Sequence, residues 1–181
     1  MIPTEDQAKK LLEKYALPEG KRLHVELVAR VALFLAQRMI AVTHQHINAL
    51  LLNAAALLHD VDKNVAKIPG EKHPDAGVRI LNEEGMEEVA DVVKTHPVHA
   101  ILDPAIAPKT LEEKFLFLAD KMVKHEVIGV DARFALWNDE HLPAEEQHIL
   151  DAAYPKVKEL EKEVLGLIGM DPGDMTKLAF F

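Results

Sequence analysis

An all-α fold is expected from three features of this 181-residue chain. The run Ala49 to Leu58, ALLLNAAALL, holds a single polar side chain, Asn53, so a helix written this way is apolar nearly all round and must be wrapped by other helices. The segment KRLHVELVARVALFLAQRMI repeats apolar residues at Leu27, Val28, Val31, Leu35 and Met39 with a helical period. No stretch shows the alternation of a half-buried strand, and neither an internal repeat nor a low-complexity tract interrupts the pattern. The length suits one domain with a sizeable core, so residues 1–181 are expected to form a single helical bundle.

The elements follow in order. Thr4 is an N-cap, with Glu5 and Asp6 in the first turn and Gln7 at the capping-box position, for a short helix ending before Pro18. A second helix follows Gly20 and places His24 on its apolar stripe. Thr43 is read as the cap of the central helix, which starts near His44 and carries His59 and Asp60 at its mouth, with Asn53 as a buried hydrogen-bonding partner inside it. Residues 63–72 read as a loop broken by Pro69 and Gly70. A fourth helix starts around His73 and Pro74, where proline suits the first turn, and stops at Gly85. The next covers 86–95 and closes at His96, because the residue before Pro97 resists the helical region. Thr110 caps a strongly periodic helix, LEEKFLFLADKMVKHEV, with Asp120 near its apolar face. Residues 129–142 give no clear pattern. A helix over 143–168 is expected to pack on the core with an interruption or kink at Pro155, followed by a weakly ordered tail.

Composition narrows the function. The formal net charge of −9 leaves no basic footprint for a phosphate backbone, so nucleic acid is excluded as a partner, although a small anion needs only a local positive pocket. With no cysteine there is no thiolate site, disulfide or cysteine nucleophile, and any metal must be held by His, Asp or Glu. The start MIPTEDQAKK lacks the basic-then-apolar order of a signal peptide, and no apolar run approaches the roughly 18 residues of a membrane span. A cytoplasmic chain with no membrane partner is expected.

The chemistry gathers at the end of the dry central segment. His59 and Asp60 stand side by side there, followed by Lys63, and buried polar groups are costly unless paired or bound to metal. Potential ligands near element ends or on inward faces are His24, His59, Asp60, His73, His96 and Asp120. In order they read H, HD, H, H, D, and this order resembles the HD-domain superfamily of metal-dependent phosphohydrolases. KRLHVELVARVALFLA is similar to the helix bearing that family's first histidine, AALLHDVDK to its HD motif, and FLFLADKMV to the helix bearing its final aspartate. The resemblance spans about residues 21–130.

It implies that His24, His59, Asp60 and Asp120 hold one metal. His73 in HPDAG and His96 in KTHP resemble the two further histidines of the dinuclear subgroup, with Asp60 bridging to a second ion. Two divalent transition-metal ions, Fe, Mn or Zn, are therefore expected, because imidazole and carboxylate suit these ions. A carboxylate shared by two cations lowers the pKa of a shared water, so hydroxide is available as the nucleophile near neutral pH. Lys63 matches a lysine found just after HD in dinuclear relatives and would meet a phosphoryl oxygen as charge builds in the transition state. Asp60 and Lys63 are thus the expected catalytic pair.

Each residue also has an ordinary reading. His24 alone is a hydrogen-bonded core histidine, His73 a cap residue at a helix start, and His96 a helix terminator whose ring suits the C-terminal dipole. Lys63 alone is a surface lysine after a helix. The ordered set favours metal in each case. The resemblance implies hydrolysis of a phosphate ester or anhydride, with a nucleotide or small phosphorylated metabolite as substrate. Two alternatives stand beside it: a mixed-valence diiron oxygenase on the same ligand set, and a metal-binding regulatory domain. The GYP segment of the cyclic-dinucleotide phosphodiesterases is absent, as is the HD-to-ED pattern of the alarmone hydrolases. Arg79, Lys94, Lys121, Lys124 and Arg133 are candidates for anion contacts, and His99 and Asp62 for supporting roles.

Overall fold

The computed structural model describes residues 1–180, and its regular structure is helical throughout. Nine α-helices follow one another among these residues: α1 Glu5–Lys14, α2 Glu19–Thr43, α3 Ala49–Leu58, α4 Asp75–Glu83, α5 Glu87–Val93, α6 Leu111–Met122, α7 Gly129–Asp139, α8 Ala144–Leu167 and α9 Pro172–Met175. Two 3-10 turns, Val61–Asn64 and Val98–Leu102, follow α3 and α5. An isolated bridge between Val123 and Val127 is the sole extended pairing among the described residues. No helix here is long and apolar enough to cross a membrane.

α3 is the axis, for the reason its composition gives. Every residue from Leu52 to Leu58 except Asn53 is buried, and α2, α6, α5 and α1 pack around the segment. Val25, Val28, Val31, Leu35 and Met39 of α2 have no solvent exposure, nor do Phe115, Leu116 and Ala119 of α6. Burying a large apolar side chain of this kind stabilises the fold by roughly 1.5–3 kcal/mol. One apolar cluster continues from Ala8 of α1 to Met175 of α9.

Capping explains the boundaries that agree with expectation. Thr4 and Thr110 both accept from the backbone N–H three residues on, and Gln7 and Glu113 complete the two capping boxes.

Other boundaries differ. Thr43 is the last residue of α2, which ends where His44 turns left-handed (φ 57°) and donates its N–H to Ile40. Asn48, not Thr43, caps α3 through the N–H of Leu51. The central helix itself stops at Leu58, as its dry segment does, and His59 and Asp60 lie on the turn beyond it, at the helix mouth as expected. Asn53 is half-buried at the surface beside Glu5 rather than inside the core. α4 begins after Pro74, α5 stops at Val93, and α6 stops at Met122 because Val123 turns extended.

Residues 129–139 form α7, where periodicity is lost because only Gly129, Val130 and Phe134 of this helix are buried. α8 runs unbroken through Pro155; both Pro155 and Asp151, whose carbonyl loses its helical donor, are exposed residues. The tail is docked: Met175 is buried, Phe180 packs edge-on against Phe34, and Arg30 donates to the Phe180 carbonyl at 2.9 Å.

Candidate metal centre

Four helix ends converge on one polar cluster. His24 projects from the first turns of α2, His59 and Asp60 from the end of α3, His96 from the turn after α5, and Asp120 from the last turn of α6. His73 reaches the cluster from the loop before α4. His59 and Asp60 are buried because they continue the end of α3 that is dry, Ala54 to Leu58.

Each imidazole is held by its Nδ1. His59 Nδ1 bonds the Ala56 carbonyl at 2.8 Å, His96 Nδ1 the Val93 carbonyl at 2.5 Å, and His24 Nδ1 the Lys124 carbonyl at 3.2 Å. His73 Nδ1 bonds the Asp62 carboxylate at 2.9 Å. A carbonyl or carboxylate oxygen can only accept, so each ring carries a proton on Nδ1, and in the neutral ring Nε2 is the lone-pair atom turned to the centre. Ala56 and Val93 lie three residues before their histidines, at the ends of α3 and α5, where carbonyls lose their helical partners; the Val93 carbonyl accepts from the His96 N–H as well as from its ring. His96 therefore terminates its helix and faces the cluster at the same time.

The inward nitrogens meet the two carboxylates. Asp120 Oδ1 lies 3.2 Å from His24 Nε2 and 3.5 Å from His59 Nε2. Asp60 Oδ1 lies 3.9 Å from His59 Nε2 and 3.7 Å from His73 Nε2, between the two. His73 Nε2 and His96 Nε2 face each other at 2.9 Å. His24, His59 and Asp60 form one group of donors with metal-ligand spacing, Asp60, His73 and His96 form another, and His59, His96 and Asp120 a third. Buried His59 Nε2 has no hydrogen-bond partner. Two lone pairs opposed at hydrogen-bond distance and one orphaned buried nitrogen are costly without a cation between them, so this donor set fits a metal.

The electrostatics agree. Burial alone would raise the pKa of Asp60, but His59 and Lys63 outweigh it and hold the carboxyl well below the usual range. Burial likewise works against the Asp120 carboxylate and is overcome by Lys121, His24 and His59. His59 is buried, which opposes a charge on it, yet Asp60 and Asp120 raise its pKa. The two carboxylates thus demand positive charge at this point, whether as proton or as metal. His96 is pushed well down, first by burial and then by His59 and His73, so it stays a neutral donor.

Three supporting residues were less visible from sequence. Asp62, 1% exposed, holds His73 and lies against the first turn of α4 at Gly77, where the helix dipole favours a carboxylate. Lys121, a candidate for anion contacts, is instead buried and paired: its Nζ donates to the His96 carbonyl at 2.6 Å and to Asp120 Oδ2 at 2.7 Å, which turns Oδ1 toward the histidines. Burial lowers its pKa, and Asp120 opposes that shift. Lys21, absent from the sequence reading, lies 3.3 Å from Asp60 Oδ2, opposite Lys63 at 3.5 Å from Oδ1. It follows Gly20 one turn before His24, a spacing that could have marked it.

The cluster opens into a pocket of about 350 Å³, large enough for a small ligand. Lys21, Lys63, Lys124 and Arg133 bring positive charge to its walls, and Trp137 and Glu140 stand at its outer side. Arg79 points elsewhere, paired with Glu71 and Glu83, and Lys94 is exposed outside the pocket. His99 is not in the cluster; it lines a neighbouring groove, and burial lowers its pKa.

A family model described as HD domain matches residues 8–130, well over half of the chain. No solved structure matches it.

Proposed function

The chain belongs to the HD-domain family, and from that premise we propose that it is a metal-dependent phosphohydrolase acting on a nucleotide or another small phosphorylated metabolite. The observation that carries this reading is the common orientation of four imidazoles, each tied down at Nδ1 with Nε2 turned to two carboxylates. In this reading His24, His59, Asp60 and Asp120 hold one divalent ion, and His73, His96 and Asp60 hold a second. The bound ions supply a Lewis acid that makes water a competent nucleophile near neutral pH and draws charge from a phosphoryl oxygen.

The chain's own residues do the rest. Asp60 is the ligand shared by both halves, consistent with an Oδ1 that lies between His59 and His73. Lys63 and Lys21 reach Asp60 from the pocket side, where their ammonium groups also line the space an incoming phosphate would enter. Lys63 then stabilises negative charge as it grows on the phosphoryl oxygens. Lys121 is a positioning residue that fixes Asp120, and Asp62 does the same for His73.

The test is elemental analysis of protein purified without chelator and without air, followed by phosphate release from a phosphoester panel under Mn, Zn and anaerobic Fe. About two ions per chain and release of phosphate are expected. A single ion would remove His73 and His96 from the ligand set. Asp60→Ala should lose metal and turnover while keeping a helical circular dichroism spectrum, and surviving turnover would sink this site. Oxygen uptake with an organic substrate and no phosphate release would move the reading to a diiron oxygenase.

A further inference from the structure

Arg133 is the unusual cation of the pocket. It lies on α7, beyond the residues matched by the family model, and lines the same pocket as Lys21, Lys63 and Lys124. Its Nε and one terminal nitrogen are buried with no hydrogen-bond partner among the described residues. Elsewhere Arg22 and Arg30 donate to backbone carbonyls, and Arg79 is held by two glutamates. A guanidinium cannot shed its proton, so burying its donors unpaired costs stability unless something else meets them.

The group is also held in place. Its guanidinium carbon lies 4.4 Å from the centre of the Trp137 ring, and that ring is braced edge-on by Phe134 at 5.1 Å. Stacking on an aromatic face fixes the plane of a guanidinium and leaves its in-plane donors free, the geometry suited to bidentate capture of a phosphate.

We propose that Arg133, stacked on Trp137, binds a second phosphoryl group of the substrate, so that this pocket selects compounds carrying two phosphoryl groups over simple monophosphates. The inference rests on the hydrolase reading for its location, because the first phosphoryl group is the one that meets the metal cluster and Lys63. Past Trp137, Val98 and Glu140 the pocket adjoins an apolar groove of about 320 Å³ lined by Leu142, Ile149 and Leu150, which offers room for the uncharged body of such a compound.

Trp137 is the only tryptophan of the chain, so its fluorescence reports on this wall. The experiment titrates metal-loaded full-length protein with methylenediphosphonate, which resists hydrolysis, and separately with orthophosphate. Metal content is measured again after each titration. The wild type is expected to prefer the diphosphonate at least tenfold with a change in Trp137 emission. Arg133→Gln should lose most of that preference while orthophosphate affinity and metal content stay the same. Arg133→Lys, which keeps the charge but not the fork, should fall between. Equal preference in wild type and Arg133→Gln would overturn the inference, as would no preference in the wild type. If the diphosphonate preference depends on Arg133 and yet no phosphoester is hydrolysed, the inference stands and the hydrolase reading fails.

Discussion

The pocket has two walls built on opposite terms. Its inner wall, the ends of α2, α3, α5 and α6, is buried, and every histidine on it has a partner for Nδ1. Its outer wall, on α7, is mostly exposed, and its one arginine keeps two buried donors unpaired. The contrast separates two demands. Groups suited to hold an ion gain from not moving, and each imidazole here is locked by a hydrogen bond in a low-dielectric setting where an unmade bond is expensive. Groups that recognise a ligand must be left something to bind.

Substitutions can break or sharpen this contrast. The largest effect expected is at the junction of the walls: Lys63→Met should lower kcat by about 10²–10³-fold with metal content unchanged, the scale for loss of one positioned charge donor. Steady-state kinetics beside elemental analysis checks it, and a loss of metal instead would place Lys63 with the inner wall. Next is Asp62→Asn, which keeps the shape of the group that holds His73 but removes its charge. Metal affinity on the His73 side should fall about 10–100-fold, as for other partners of ligating histidines, measured by competition with a chelator. Unchanged affinity would mean that His73 needs no anchoring.

The smallest effect concerns Glu161 on α8, the buried acid away from the cluster. Its Oε1 has no partner while Oε2 pairs with Lys158, and burial, opposed by Lys158, raises its pKa. A carboxyl with a raised pKa in the folded state binds its proton more tightly there than in the unfolded chain. Stability is therefore lost as pH rises from the ordinary carboxyl range through the folded pKa. Glu161→Gln should gain about 1 kcal/mol near pH 7, some 2–4 °C in Tm, and the gain should vanish in acid. Lys158 would still have Asp131 at 2.9 Å. Thermal melts across pH decide it; a gain that persists in acid would assign the effect to packing rather than charge.

Much of the inner wall was legible from sequence because it is made of rare letters in dry surroundings. His59 and Asp60 stand out after ten residues with one polar side chain, and His24 and Asp120 interrupt apolar stripes, so each advertises a cost that something must offset. The all-α class followed from the same periodicity. Lys121 reads from sequence only as a candidate for anion contacts, because nothing in a lysine beside an aspartate shows that the fold buries it against the His96 carbonyl. The outer wall was opaque for the converse reason: a helix with three buried residues leaves no stripe to read. Helix ends failed where the stop was set by tertiary contact, as at Met122, beyond which Lys124 turns its carbonyl to His24.

That carbonyl has a consequence for how such a centre tolerates change over generations. Three of the four histidine anchors, Ala56, Val93 and Lys124, contribute main-chain oxygens, which any amino acid would bring to the same place. The side chain at 124 can drift without disturbing the anchor, whereas a one-residue insertion in the short turn between Val123 and Val127 would displace it. The centre is therefore robust to spelling and fragile to length. Among its anchors only Asp62 is bound to a particular letter.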